Sequence, residues 1–595
     1  MKKQPSAIRR FLNDGISTAG KPYSQPSALS LRFFDKIGRC FAFTATRAWG
    51  ILLLSFGLVT LLSHFARYYF SLQSDDVLLP LIVGAVCALF SIPLLFSEEP
   101  LCLLLQNSPA LRYFFFEFLC LRSRRQTPGG HTLNSAVTAP LGVALAAIGY
   151  FTSPGLVLGI LGGLLLLFLS MESPEAPFFL SLLALPYLPW LPYPNLILGI
   201  PVALSLLSFA RKVWLGNRIF TAGLTGCLWC LLSFTILISG VFNSGWNSFW
   251  SSLLVAAMML GCVLSQNLVI NRRLTDAALG AIAVSALPVS VVGIVQYMYG
   301  TLTGAGEPTD FSWQIGVRAT GSFADPDAFA VFLLAAAFCA LALAIEKHSA
   351  RKKFFFYTVF LLAAVALFLT WSRAAWAAFG FGLFACLALR KFRNPGGWLL
   401  SFCLLPCIFC LLPDAGQEPV LGAVGLTDAE VMGCLEEGRR SLLVWRDHLF
   451  LGVGIGKDAF AETYAPYAEG GIIPPHAPSL WLHVGCEAGI VALLLFAAVL
   501  LSRVVRISRR AKLLAVSTVK LPALFMQAVI FSLLFLGFSN CIFAWDGMLY
   551  LFSVLFGLGG ATLRISDNEQ RDRQYGCDED YGQDAAVADI RVQNM

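Results

Sequence analysis

Apolar residues in this chain arrive in unbroken blocks, with polar residues confined to the short stretches between them. Blocks of about 17–22 residues match helices that cross a hydrocarbon core, whereas membrane strands would alternate over roughly ten residues. The blocks are 41–62, 77–97, 136–152, 155–171, 178–190, 194–209, 219–241, 251–270, 279–300, 327–345, 354–371, 373–390, 398–412, 480–501, 521–540 and 545–563. The pair within 178–209 is short and rich in Pro, which fits a re-entrant or broken element. Residues 100–121 are apolar but interrupted by Asn107, Pro109, Arg112 and Glu117, so they are expected to lie in the interface. The fold class that follows is all-α: a polytopic transmembrane bundle of about fourteen to sixteen spans. One large extracytoplasmic loop, 413–479, precedes the last three spans.

Composition agrees. The chain has 595 residues, 57% hydrophobic and 13% charged, with mean hydropathy +0.72. A water-soluble fold cannot hide that much apolar surface, because it must face polar groups outward. The sixteen Cys are scattered through apolar segments, without the spacing of a zinc site or a disulfide framework.

Charge adds orientation. The basic stretches 211–218, 271–273, 346–353, 390–393 and 502–512 fall on one side if the spans alternate, and that side is the cytoplasm. Both termini are then cytoplasmic. Residues 1–40 read as a basic tail before an uncleaved first span, and 564–595 as a polar, acidic, disordered tail. The basic clusters are separated by spans, so no nucleic-acid footprint forms.

The opposite side receives the residues that could carry chemistry. Arg318, in VRATGSFADPDAFA, sits just above a span and offers a fork of donors suited to a membrane-bound diphosphate. Arg373 stands at a turn between two spans on the same side. In the large loop a helix is expected from an N-cap at Thr427 through Trp445, carrying Arg439 and Arg446 on one face with Arg440 beside them. Three cations there run against the usual bias and point to an anionic partner. GVGIG (452–456) lacks a preceding strand and full dinucleotide spacing, and reads as a tight turn. His476 precedes a span, His483 follows two helical turns later, and Glu487 lies inside the span. Taken singly, these residues have ordinary structural explanations as membrane anchors or core polar groups. Taken together they describe an anion-binding cleft with a base.

At these residues the chain resembles the O-antigen ligase and polymerase superfamily of bacterial membrane glycosyltransferases. VRATGSFADPDAFAVFL resembles its R-x-x-G-x-F-x-N-P-N stretch, HLFLGVGIGKDAF its H-P-L-x-G-x-G-x-G-x-x-F stretch, and HAPSLWLHVGCEAGIVALLLF its H-x-H-N-x-x-L-x-x-x-x-E-x-G stretch. The resemblance covers 280–563, dividing the chain into an N-terminal membrane region, 41–300, and a ligase-like region, 301–563. Asp325-Pro326-Asp327 replaces Asn-Pro-Asn, Pro478 and Ser479 replace the second His and the Asn, and Arg439 or Arg440 with Trp445 is the nearest match to the Arg-and-Trp pair of the loop. The resemblance implies transfer of a glycan from a polyprenyl diphosphate carrier to an acceptor hydroxyl on a glycan, lipid or protein, at the outer face of the plasma membrane. It implies no metal and no other cofactor. By carry-over Arg318 and Arg439 or Arg440 bind the diphosphate and His476 is the catalytic base, with Arg373, His483 and Glu487 in support.

Two rival classes stand beside this one. A transporter or flippase of lipid-linked glycans would need a row of polar residues along its spans, and only Gln296, Gln527 and Glu487 are prominent. An inactive membrane scaffold would be consistent with the altered His motif.

Overall fold

The computed structural model describes residues 16–17, 44–69, 78–121, 135–216, 218–243, 246–303, 317–346, 349–391, 429–468, 473–514, 517–543 and 545–593. The expected span 398–412, the N-cap at Thr427 and nearly all of the basic tail lie outside these residues. Among the described residues the fold is all-α, apart from a two-residue antiparallel pairing of Ile16 with Ala222 and Ser17 with Thr221. Ten helices among the described residues are long and apolar enough to cross a membrane, and four shorter apolar ones accompany them: Pro80–Leu95, Ala136–Phe151, Arg373–Leu389 and Lys520–Leu536.

Packing divides the chain into two compact units, one of residues 20–179 and 204–218, the other of 1–19, 180–203 and 219–595. In the first, Thr46–Tyr69 packs on Leu78–Leu95 and Ser135–Phe151. The helix Pro154–Glu172 ends where Arg211 donates to the Met171 carbonyl (3.1 Å) and Lys212 to that of Glu172 (2.7 Å). These cations satisfy carbonyls that a helix C-terminus leaves open. Buried Glu175 is paired with Arg218. Residues 100–121 form three short helical pieces, none of spanning length.

The second unit is built around Pro326–Glu346, whose residues are apolar and buried all round, the mark of a helix enclosed by others. Arg272–Thr303, Ala350–Leu369 and Lys520–Leu536 pack on it. Asp325 fixes its start. The carboxylate accepts from the amides of Asp327 (3.2 Å) and Ala328 (3.1 Å), and Pro326 occupies the first helical position. The Pro-rich block 178–190 is indeed broken: a ten-residue helix, Glu175–Ala184, gives way to a 3-10 turn, Leu185–Trp190. Its neighbour is instead an unbroken helix, Pro194–Trp214, despite Pro201. The last helix runs Asp546–Gln593, on through the segment whose polar composition argued for an irregular tail. Its early polar turns are anchored, Asp567 by Arg510 (2.5 Å) and Glu569 by Ser517 (2.9 Å).

Candidate active site

The helix Leu480–Leu514 is interrupted near its start, and the site is built on that interruption. Gly489 has φ 79° and ψ −179°, a region that side chains exclude. A Cβ there would stand 2.1 Å from the Phe450 carbonyl oxygen. At this break the helix opens its backbone to the loop. Val453 N–H donates to the Cys486 carbonyl (2.8 Å), Gly454 N–H to that of Glu487 (3.2 Å), and Ile490 N–H to that of Leu449 (2.8 Å). Irregular backbone at membrane depth is tolerated only where such partners replace the lost helical bonds.

GVGIG supplies the other half of the joint. Gly452, Gly454 and Gly456 all have positive φ (72°, 104° and 115°), so the segment is a tight turn, as the sequence indicates. Ser248 Oγ accepts from Ile455 N–H at 3.0 Å, and Asn243 Nδ2 donates to the carbonyls of Leu451 (3.0 Å) and Gly452 (2.9 Å). Behind the turn, Val444, Val453, Phe460, Tyr464, Ala477 and Cys486 form a small core. The loop between the spans is therefore a folded structure with its own hydrophobic interior.

A cavity of about 320 Å³ lies against this joint. His476, His483, Glu487, Lys457 and Asp458 line it together with Ser251 and Asn195. Its remaining wall is apolar, including Trp229, Met259, Phe496 and Phe543. Mostly apolar lining with a few convergent polar groups is the usual make-up of a small-molecule site. The rings of His476 and His483 stand edge to face, centroids 6.1 Å apart. His483 Nδ1 lies 3.2 Å from Glu487 Oε1, close but out of line for a hydrogen bond. Glu487 Oε2 accepts from Gly456 N–H (3.3 Å), which ties the carboxylate to the glycine turn. Burial, with His483 and Lys457 adding to it, pulls the pKa of His476 down to about 4. At neutral pH its imidazole is uncharged and can accept a proton.

The sequence-derived candidates divide sharply here. His476, His483 and Glu487 meet at the cavity, whereas Arg318, Arg373, Arg439 and Arg440 are not among its lining residues. Arg318 donates from Nε to the Thr370 carbonyl (2.8 Å) and from Nη2 to Asp327 (3.2 Å). Arg373 opens its helix, immediately after a turn in which Trp371 takes φ 55°. The expected loop helix exists as Ala429–Asp447, where Arg439 is exposed and Arg440 is half-buried, 2.9 Å from Glu436. Trp445 packs on Gly485, with its indole N–H buried and unpaired among the described residues. Ser479, which stands where the related pattern has Asn, caps the helix through Leu482 N–H (3.2 Å).

Sequence reasoning missed Lys457, Asp458 and Asn195. One signal for Lys457 was present: a cation in the first turn of Lys457–Tyr464 opposes the helix dipole, a placement that calls for a reason. Asn195 left no signal, since it reaches the cavity from a helix remote in sequence. Among the described residues no group of three His, Cys, Asp or Glu side chains could hold a metal ion.

Comparison with known proteins bears on the same segment. No curated protein matches the chain. The family described as O-antigen ligase matches residues 358–497, which take in the loop helix, the glycine turn, His476, His483 and the break at Gly489, while Arg318 falls outside. The match supports a glycosyl-transferring role in cell-surface polysaccharide assembly, and the apolar helices fit a multi-pass protein of the bacterial inner membrane. Residues 358–497 of this membrane-protein chain, then, are similar to the O-antigen ligase family.

Proposed function

We propose that the chain transfers a glycan from a polyprenyl diphosphate carrier to an acceptor hydroxyl at the outer face of the plasma membrane, with both termini in the cytoplasm. The observation that carries this reading is the cavity at the helix break, where an uncharged His476, a lysine and the neighbouring His483 and Glu487 converge. In the reaction the acceptor oxygen attacks the anomeric carbon, and the bond from that carbon to the diphosphate oxygen breaks. His476 takes the hydroxyl proton, and the lipid diphosphate leaves with the bonding pair. Lys457 stabilises the charge gathering on the leaving phosphate. Glu487 and His483 set the electrostatics beside His476.

Arg318, Arg439 and Arg440 are assigned to the diphosphate as the carrier approaches. Asp327 and Glu436, which pair with Arg318 and Arg440, are 32% and 63% exposed. Arg318 and Arg440 are themselves only 15% and 21% exposed, but each carboxylate reaches solvent, so a phosphate with its greater charge can displace it. The apolar wall suits the first isoprene units of the carrier.

The flippase reading loses ground on particular contacts. Gln296 is spent on the backbone of Gly321, accepting at Oε1 from its N–H (2.8 Å) and donating from Nε2 to its carbonyl (2.8 Å). Gln527 faces the Gly559 carbonyl at 3.5 Å. Neither contributes to a polar path.

The test is His476→Ala in the native host, with membrane levels checked by blot and surface glycan assayed beside its lipid-linked precursor. Transfer should fall by about 10²–10³-fold, as for loss of a general base, with donor accumulating on the outer side. Wild-type surface glycan would remove His476 from the mechanism. Donor trapped on the inner side after deletion of the whole protein would indicate a flippase.

A further inference from the structure

The far end of Leu480–Leu514, about 28 Å along the helix from Glu487 at 1.5 Å per residue, carries a second concentration of charge. Arg503, Arg506 and Arg510 recur at i, i+3 and i+7, forming one stripe. Arg564 joins them from the last helix, donating to Thr221 Oγ1 (2.7 Å) and to the Val269 carbonyl (3.2 Å). Against these cations the described residues set one carboxylate in contact, Asp567 on Arg510.

Arg506 makes no hydrogen bond or ion pair with a described residue. Its Nη1 lies 2.8 Å from the place a Cβ on Gly223 would occupy. Gly223 is the N-cap of Leu224–Phe242, a 19-residue helix without a side-chain cap. A guanidinium thus rests against the positive end of a helix dipole, where a cation is unfavourable and an anion is favoured. Two buried side chains nearby also have polar atoms without partners. Arg503 is 3% exposed; its Nη2 donates to the Phe556 carbonyl and its guanidinium lies over the Phe556 ring, while its Nε has no acceptor. Gln266, 7% exposed, makes no hydrogen bond to a described residue, and its Oε1 is 3.3 Å from the Cβ position of Gly226 in the first turn of that helix. Asp567, already in contact with Arg510, is the one carboxylate that also acts on Arg506, so the stripe carries more positive charge at membrane depth than it offsets, which calls for a role or a ligand.

We propose that a phosphate-bearing anion binds between Arg506 and the N-terminus of Leu224–Phe242, with Arg503, Arg564 and Gln266 behind it. The guanidinium and the first-turn amides together supply the charge-assisted donors that a phosphate monoanion or diester accepts. Lipid phosphate headgroups and free phosphates share this chemistry. The proposal is independent of the transferase reading, since the two sites lie at opposite ends of one helix.

The test uses the full chain in phosphatidylcholine nanodiscs, with Lys457→Ala as background so that the cavity does not contribute. Two probes are compared: phosphatidylglycerol, by its retention in native mass spectrometry, and inorganic diphosphate, by titration. Arg506→Gln should weaken binding about ten-fold, the loss of one charge-assisted contact, whereas Arg509→Gln, an exposed arginine off the stripe, should leave it unchanged. Loss confined to phosphatidylglycerol assigns the site to a lipid headgroup, and loss confined to diphosphate assigns it to a soluble phosphate. Gly223→Ala keeps every charge but pushes the guanidinium aside, and should weaken the same probe; it also stands in if Arg506→Gln does not fold. Equal effects of the two arginine variants, binding unchanged by Gly223→Ala, or no binding of either probe would overturn the proposal.

Discussion

The turn that holds Arg318 and the cavity that holds His476 both sit where an apolar helix begins, yet they treat their polar groups in opposite ways. At the turn the groups are satisfied internally. Arg318 has Thr370 and Asp327, Asp325 caps the next helix, and Gln296 takes both backbone groups of Gly321. At the cavity, His476, His483, Lys457 and Asp458 face open space, and Glu487 is held through one amide and an off-line histidine. The first arrangement is a finished joint. The second leaves donors and acceptors for something else to use, which is what a reactive site requires.

The break at Gly489 separates these two behaviours, so the most damaging change should be made there. Gly489→Ala would force a side chain into a backbone region reserved for glycine and against the Phe450 carbonyl. Strain of about 3 kcal/mol or more is expected. The loop should detach from the helix, seen as a fall in thermal stability of the purified chain and loss of surface glycan. A wild-type melting profile would show that the joint is not what holds the cavity.

Lys457 sharpens the comparison, because it is the cation on the open side. Lys457→Ala should cost about 10²–10³-fold in turnover if it meets the leaving phosphate, with Lys457→Arg keeping part of the activity and melting temperature unchanged. If Arg318→Ala is the more damaging of the two for turnover, Arg318 rather than Lys457 meets the charge on the leaving phosphate and the comparison inverts.

The pH response is smaller and has a definite sign. His476 is held down to about 4 by burial, so it stays uncharged across the neutral range. Activity should decline only as pH falls through about 4, rather than near the ordinary value of 6.5. Stability follows the same direction. The folded state resists the proton that the unfolded chain accepts, so stability is full above 6.5 and drains as pH falls toward 4. A pH–rate profile with its acid limb near 6.5 would show that the imidazole is solvated in the working enzyme.

The sequence made much of this legible, for identifiable reasons. Spans and the loop helix were readable because apolar blocks and charge spacing are local signals. His476, His483 and Glu487 could be grouped because they lie on one stretch of chain. The glycine turn was recognised as a turn, but its docking on the break at Gly489 depends on backbone bonds between segments about 35 residues apart, which no local pattern encodes. Arg318 and the loop arginines look as chemical as His476 when read as residue types. Only the partners they have already taken distinguish them.

The smallest effect tests whether Asp325 in the closed joint is purely architectural. Asp325 accepts from two amides at the start of Pro326–Glu346, the work of an N-cap, and its pKa is raised by burial, with the charge of Asp327 adding to it. Asn caps a helix about as well as Asp, so Asp325→Asn should melt within a few tenths of a kcal/mol of wild type, while Asp325→Ala should lose about 1 kcal/mol. Neither should change the turnover of molecules that remain folded. Because the carboxyl is reluctant to ionise in place, the folded state takes up its proton more readily than the unfolded chain, so this group should add stability as pH falls through its titration and withdraw it as pH rises, and Asp325→Asn should flatten that part of the stability curve. A large fall in turnover for the Asn variant, at unchanged stability, would mean that the Asp325 charge reaches substrate, and the joint around Arg318 would then belong to the reactive site as well.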